Sequence, residues 1–213
     1  FYLMKKYLQY GCGFSNPTGW ENYDSSPTLR IQRTPIIGKI MKSSLNVVFP
    51  KNIKYGDIVN GLNVSKNTYD GIYCSHVLEH LSYYDLKKTL KNTYEYLKPG
   101  GIFRMVLPDL EFLCREYVNE VNKKNPKSSL RFMNDSLLGV TERKRGLKQT
   151  LINMLGNSKH LWMWDYYSLS EELKEVGFLD IRRCEFNDSV DKMFLRVEEK
   201  DRFINCLSIE VIK

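Results

Sequence analysis

The sequence predicts an α/β fold, a mostly parallel β-sheet covered by helices on both faces. Three observations carry this. Short β-rich apolar runs alternate with amphipathic helical segments along the 213 residues. Two helical segments repeat apolar residues at helical spacing and are bounded by recognisable start and stop signals. Glycines and acids gather just past the strand-like runs, where open parallel sheets place their ligands.

The elements follow in order. KYLQYGCG (6–13) reads as a short strand ending in a tight Gly turn, and GWENYD (19–24) as a second strand ending on Asp24. TLRIQRTPIIGKIMKSS (28–44) is interrupted by Pro35 and Gly38, so only short helical pieces are expected. NIKYGDIV (52–59) reads as a third strand ending near Asp57, and YDGIYCS (69–75) as a fourth. Ser82 with Asp85 then resembles a capping pair, and Leu86, Leu90, Tyr94 and Leu97 recur at helical spacing until KPGG (98–101) stops the helix. IFRMVLPD (102–109) is a fifth strand, and LEFLCREYVNEV (110–121) a helix with Leu110, Leu113, Tyr117 and Val121 on one face. The stretch 123–149 has few periodic apolar positions and is expected to be an inserted cap or loop. An aromatic-rich loop, GNSKHLWMWD (156–165), precedes a helix at 168–178 with Ser168 and Glu171 as its capping box and Gly177 as its stop. LDIRRCEF (179–186) and NCLSIEVIK (205–213) are the last two strands.

Composition narrows the classes. Hydrophobic residues make up 42% and charged residues 27%, which suits one soluble domain with a sizeable core. Without a run of about 18 apolar residues, no membrane span is expected. The opening FYLMKKYLQYGCG turns polar too soon for a secretory leader. The chain begins at Phe1, and the expected native start is Met4 or a residue upstream. The five cysteines are scattered and include no C-x-x-C, so buried thiols and a cytoplasmic location are expected. Most of the +7 net charge lies between Lys123 and Gln149, where eight basic side chains meet two acidic ones. Such a segment is either a solvated surface or the contact for an anionic partner.

CSHVLEHLS (74–82) admits two readings. His76, Glu79 and His80 spell H-x-x-E-H, a zinc-peptidase pattern in which a helix presents both imidazoles. His76 directly follows a strand-like run, however, where helix geometry is only starting. The preferred reading is a strand leading into a helix at a cofactor site, with no metal.

The ordered set LQYGCG, GWENYD, YGDI, YDGIYCSHVLEHL, LKPGGIFRMVLPDL and HLWMWD resembles the class I S-adenosylmethionine-dependent methyltransferases, above all their compact bacterial members. The resemblance implies a single domain over residues 1–213, with a Rossmann-like sheet, a C-terminal antiparallel strand, and a basic cap or insertion at about 123–160. It implies that Gly11, Cys12 and Gly13 approach the methionine part of the cofactor. Asp24 would accept from the ribose hydroxyls, Asp57 and the Ile58 amide would meet adenine, and Ser75 and His76 would lie next to the sulfonium. Only 11 positions separate Gly13 from Asp24, so the usual crossover helix is trimmed, and 28–50 is expected to supply a lid. A nicotinamide dehydrogenase fits less well, since GCGFSN lacks a third glycine.

The expected activity is methyl transfer to an oxygen or nitrogen of a small-molecule or glycan acceptor of anionic character, with nucleic acid less favoured. The alternative is an inactive methyltransferase-fold protein that binds nucleic acid or a protein through its basic segment. His80 and His160 are the candidate bases, because histidine titrates near working pH and all three histidines lie in motif segments. Glu79 is expected to anchor the helix or touch the cofactor's amino group.

Overall fold

The computed structural model describes residues 4–34, 48–141 and 159–213. Seven strands form one sheet: β1 Tyr7–Tyr10, β2 Trp20–Asp24, β3 Ile53–Tyr55, β4 Tyr69–Ser75, β5 Leu97–Pro108, β6 Leu179–Arg183 and β7 Cys206–Ile212. Their order is β3-β2-β1-β4-β5-β7-β6. β1 through β5 pair in parallel, while β7 runs antiparallel to both β5 and β6. The mostly parallel sheet with a C-terminal antiparallel strand is the one expected.

Five α-helices accompany it among the described residues: α1 Pro27–Arg33, α2 Tyr83–Tyr96, α3 Leu110–Asn122, α4 Ser128–Asp135 and α5 Tyr166–Val176. Strand alternation decides which face each side chain covers. Leu8, Tyr10, Ile72, Cys74, Phe103 and Met105 point to one face, where Leu86 and Leu90 of α2 and Leu169 and Leu173 of α5 seal the main core. Tyr7, Trp20, Tyr73, Ile102 and Val106 point to the other. There the cover is Phe194, within a 3₁₀ turn spanning Lys192–Arg196, and Val197 just beyond it.

This turn also takes the place of the trimmed crossover helix. Gly11 to Gly19 joins two parallel strands in nine residues, fewer than the dozen or so such a connection usually needs. The Trp20 indole N–H donates to the Met193 carbonyl at 3.3 Å, and Arg196 donates to the Thr18 carbonyl at 3.0 Å. A Cβ at Gly19 would lie 3.0 Å from the Met193 methyl, so glycine lets the turn close down on the loop.

Several local expectations change. β3 stops at Tyr55, so Asp57 sits in the turn beyond it. β5 begins at Leu97, directly after α2 ends, and KPGG therefore lies within the strand, with Gly100 at φ +77°. α5 begins two residues early, with Asp165 as its N-cap; the capping box is Asp165 with Ser168, and Gly177 ends the helix in the left-handed region as expected. α2 is capped by Ser82 as its sequence indicates. The described part of the basic stretch holds a helix, α4, flanked by turns and irregular chain rather than being loop throughout. Its Arg131, together with Lys123, is paired with Glu120. Arg143, Lys144, Arg145 and Lys148 lie outside the described residues, as do positions 35–47 of the expected lid.

Candidate active site

The strand order reverses between β1 and β4, so a crevice opens at their carboxyl ends. A cavity of about 890 Å³ lies there, lined by Gly11, Asp24, Asp57, Ile58, His76 and His80 among others. This volume is at the upper end of the range for small-molecule sites.

Each wall has a local cause. Gly11 follows β1 at φ +63°, and a Cβ there would lie 2.2 Å from a methyl of Val77. Glycine therefore lets the β1 and β4 ends close on each other. Asp24 ends β2, where its two oxygens accept from the backbone N–H of Gly13 at 2.9 Å and of Ser26 at 2.8 Å. Ser26 in turn caps α1, with Pro27 at the first helical position. Asp57 accepts from the Val59 N–H at 2.9 Å and from the Asn60 side chain. A carboxylate offers about four lone-pair sites, so each acid keeps capacity for a ligand while its backbone contacts hold it in place.

His76 follows β4 at φ +55°, a conformation rare outside glycine and common where function over-determines the backbone. Its Nε2 lies 3.2 Å from the Arg202 carbonyl and its Nδ1 3.3 Å from Glu79 Oε1. Burial pulls this imidazole down, but Cys206, Glu79 and the Arg202 carbonyl together push it up to about 10. The following residues form a 3₁₀ turn, Leu78–His80, and α2 starts only at Tyr83. His76 and His80 therefore do not share a helical face, and the peptidase arrangement is absent here.

A second segment completes this wall. The Glu79 carbonyl accepts from the N–H groups of Leu161 at 2.7 Å and Trp162 at 3.2 Å. This pins His160 against the 3₁₀ turn, its ring 5.0 Å from that of His80 and edge-on to it. His80 Nδ1 lies 2.9 Å from the Lys159 carbonyl, and His160 Nδ1 lies 2.8 Å from the Ser136 carbonyl. Burial, with the neighbouring His80, lowers the His160 pKa against the opposing pull of Glu79, which favours its neutral form.

With this geometry in view, the comparisons decide the family. A family model described as "Methyltransferase domain" matches residues 6–182. The chain belongs to the methyltransferase-domain family. Solved structures similar to this methyltransferase domain include a SAM-dependent methyltransferase from Thermotoga maritima, at 14% identity and a TM-score of 0.51, covering 99% of this chain and 83% of that one. Another, from Archaeoglobus fulgidus, is 17% identical with a TM-score of 0.49, covering 98% and 86%. A third is phosphoethanolamine N-methyltransferase 2 of Haemonchus contortus in complex with S-adenosyl-L-methionine, at 12% identity and a TM-score of 0.47; this chain is covered in full and spans 50% of its length. A search of curated proteins finds no match.

The site of the methyltransferase domain gathers some expected residues and not others. Gly11, Asp24, Asp57, Ile58, His76 and His80 meet at the cavity. Cys12 turns away to pack with Leu29, Phe49 and Ile53, and burial pushes its thiol up to about 12, so it is an inert filler. Gly13 serves by donating its N–H to Asp24, and a Cβ on it would meet nothing within 4 Å. Ser75 faces a smaller recess on the other side of the sheet end, with its hydroxyl buried and without a hydrogen-bond partner among the described residues. His160 stands behind His80 rather than on the cavity lining. Sequence reasoning missed Ser25 and Ser26 at the cavity, although Ser-Ser-Pro is a helix-start signal that could have placed them. Among the described residues, no helix is long and apolar enough to cross a membrane.

Proposed function

We propose that this chain is an S-adenosylmethionine-dependent methyltransferase acting on an oxygen or nitrogen acceptor that reaches the cavity past His80. The observation that carries this is the cavity at the strand-order switch, walled by two backbone-anchored carboxylates and a glycine that admits close approach. When bound, S-adenosylmethionine supplies a methyl group on a positively charged sulfur, ready for a nucleophile.

The residues fit that group. Asp24 offers its remaining lone pairs to vicinal hydroxyls, as a ribose presents. Asp57 and Ile58 flank the part of the cavity suited to a base with an exocyclic amino group. Gly11 keeps the central wall low, and His76 and His80 border the side where an acceptor enters. Such a site works chiefly by holding acceptor and methyl donor in line, which is worth several kcal/mol of barrier. The acceptor's proton leaves on the His80 side, where imidazoles cluster. A small anionic acceptor such as a saccharide suits the basic balance of 123–149.

The test is transfer itself. Purified protein is incubated with methyl-labelled cofactor and fractionated cell extract. Label in an extract component, lost with Asp57→Ala, supports the reading. Cofactor bound tightly with no transfer to any fraction would instead make the chain a binding module.

A further inference from the structure

We infer that Glu79, His80 and His160 form a binding site for a divalent transition-metal ion on the acceptor side of the cavity. One ligand atom from each lies within 4.8 Å of the others. Two further observations point to a ligand.

The first is Glu79. It is fully buried, yet neither carboxylate oxygen has a hydrogen-bond partner among the described residues. Its nearest cationic candidates are His76 Nδ1 at 3.3 Å and His160 Nε2 at 3.9 Å, the first without hydrogen-bond geometry and the second beyond its range. The ion pair with His76 leaves both oxygens short of hydrogen bonds, which a buried carboxylate normally has unless it binds a metal.

The second is the state of the two imidazoles. Each has its Nδ1 against a backbone carbonyl, Lys159 for His80 and Ser136 for His160. A carbonyl only accepts, so the neutral form of each ring carries its proton on Nδ1 and its lone pair on Nε2. Metal-binding histidines are oriented in this way, by a hydrogen bond from the other ring nitrogen to a carbonyl or carboxylate.

Two imidazoles and one carboxylate suit zinc in an open site and other first-row divalent ions. Glu79 Oε1 and His160 Nε2 stand 3.9 Å apart, wider than the roughly 3.4 Å that tetrahedral zinc bonds impose, so binding draws them inward. His80 lines the cavity, so the open side of the ion faces it. There an acceptor oxygen could complete the coordination and become easier to deprotonate; this last step rests on the methyltransferase reading, whereas the metal site does not. The site also differs from the H-x-x-E-H peptidase pattern: His76 is engaged with Arg202 and Glu79, and the third ligand comes from the aromatic loop.

The test uses zinc as probe. Chelator-treated protein is titrated with zinc chloride by calorimetry, and S-adenosylmethionine binding is measured separately on the same preparation. One zinc per chain is expected, with affinity falling about 10-fold or more in His80→Ala and in Glu79→Gln. Zinc-edge X-ray absorption of the wild-type protein gives a reading that does not depend on folded variants: two imidazole ligands are expected. Cofactor binding without zinc uptake, an oxygen-only zinc shell, or zinc affinity unchanged in both folded variants would overturn the metal site. Zinc uptake through these residues without cofactor binding would uphold it and sink the proposed function instead.

Discussion

Replacing Gly11 with alanine should be far more damaging than the same change at Gly13, although both glycines have positive φ. At Gly13 the new methyl meets nothing within 4 Å, so the cost is the backbone conformation alone, about 1–2 kcal/mol at φ +55°. At Gly11 the same backbone cost applies at φ +63°, and the methyl would also lie 2.2 Å from a methyl of Val77. Relieving such an overlap costs about 1–3 kcal/mol more in a packed region. The total of about 2–5 kcal/mol is a large share of ordinary domain stability. Urea unfolding, followed by the fluorescence of the three tryptophans, measures both variants. Adding Val77→Ala to Gly11→Ala should recover part of the loss, because it removes the methyl in conflict. Equal destabilisation by Gly11→Ala and Gly13→Ala, or no recovery in the double variant, would refute the claim that Gly11 is there to let the β1 and β4 ends meet.

Other outcomes follow from the same geometry. Arg104 is 1% exposed and binds Glu198 at 2.7 Å, Glu210 at 2.8 Å and Asp188 at 2.9 Å, so Arg104→Met should cost about 3–5 kcal/mol in urea by stranding buried carboxylates. Burial opposes ionisation of Asp188, but bonds from Arg182, the Glu185 N–H and Arg104 outweigh it and hold its carboxyl down at about 2. A depressed carboxyl stabilises the fold above its ordinary pKa and loses that contribution as pH falls through the depressed value. Acid denaturation between pH 4 and 2 should therefore be shallower in Asp188→Asn than in the wild type. Reversing Arg143, Lys144 and Arg145 to glutamate should raise the acceptor's KM and leave cofactor affinity unchanged; equal turnover at low and high salt would make that segment only a solvated surface.

The sheet was legible because its signals are local. Alternating runs such as YDGIYCS and the periodic leucines of α2 state their own structure, and the glycine and acid positions at the strand ends pointed to the crevice. The cover over the second face was not legible. Phe194 sits in a 3₁₀ turn and Val197 just after it, where there is no long period to detect, and their role arises only when they meet Trp20 across the chain. The site was half legible for the same reason. Asp24 and Asp57 could be placed by their order after strands, but the fate of Cys12 depends on a side-chain direction that follows from the turn at Gly11. The placement of His160 near Glu79 depends on two backbone hydrogen bonds between segments about 80 residues apart, which no spacing rule reports.

The central claim is that the crevice between β1 and β4 holds S-adenosylmethionine against Asp24 and Asp57. Isothermal titration of the wild-type protein, Asp24→Ala and Asp57→Ala with this cofactor tests it most directly. The account predicts one cofactor per chain at micromolar affinity, about −7 to −8 kcal/mol, with each substitution weakening binding by about 1–3 kcal/mol. Asp24→Ala should also lower thermal stability, since it frees the Gly13 and Ser26 N–H groups. No cofactor binding by the folded wild-type protein, or the same affinity in all three proteins, would contradict it.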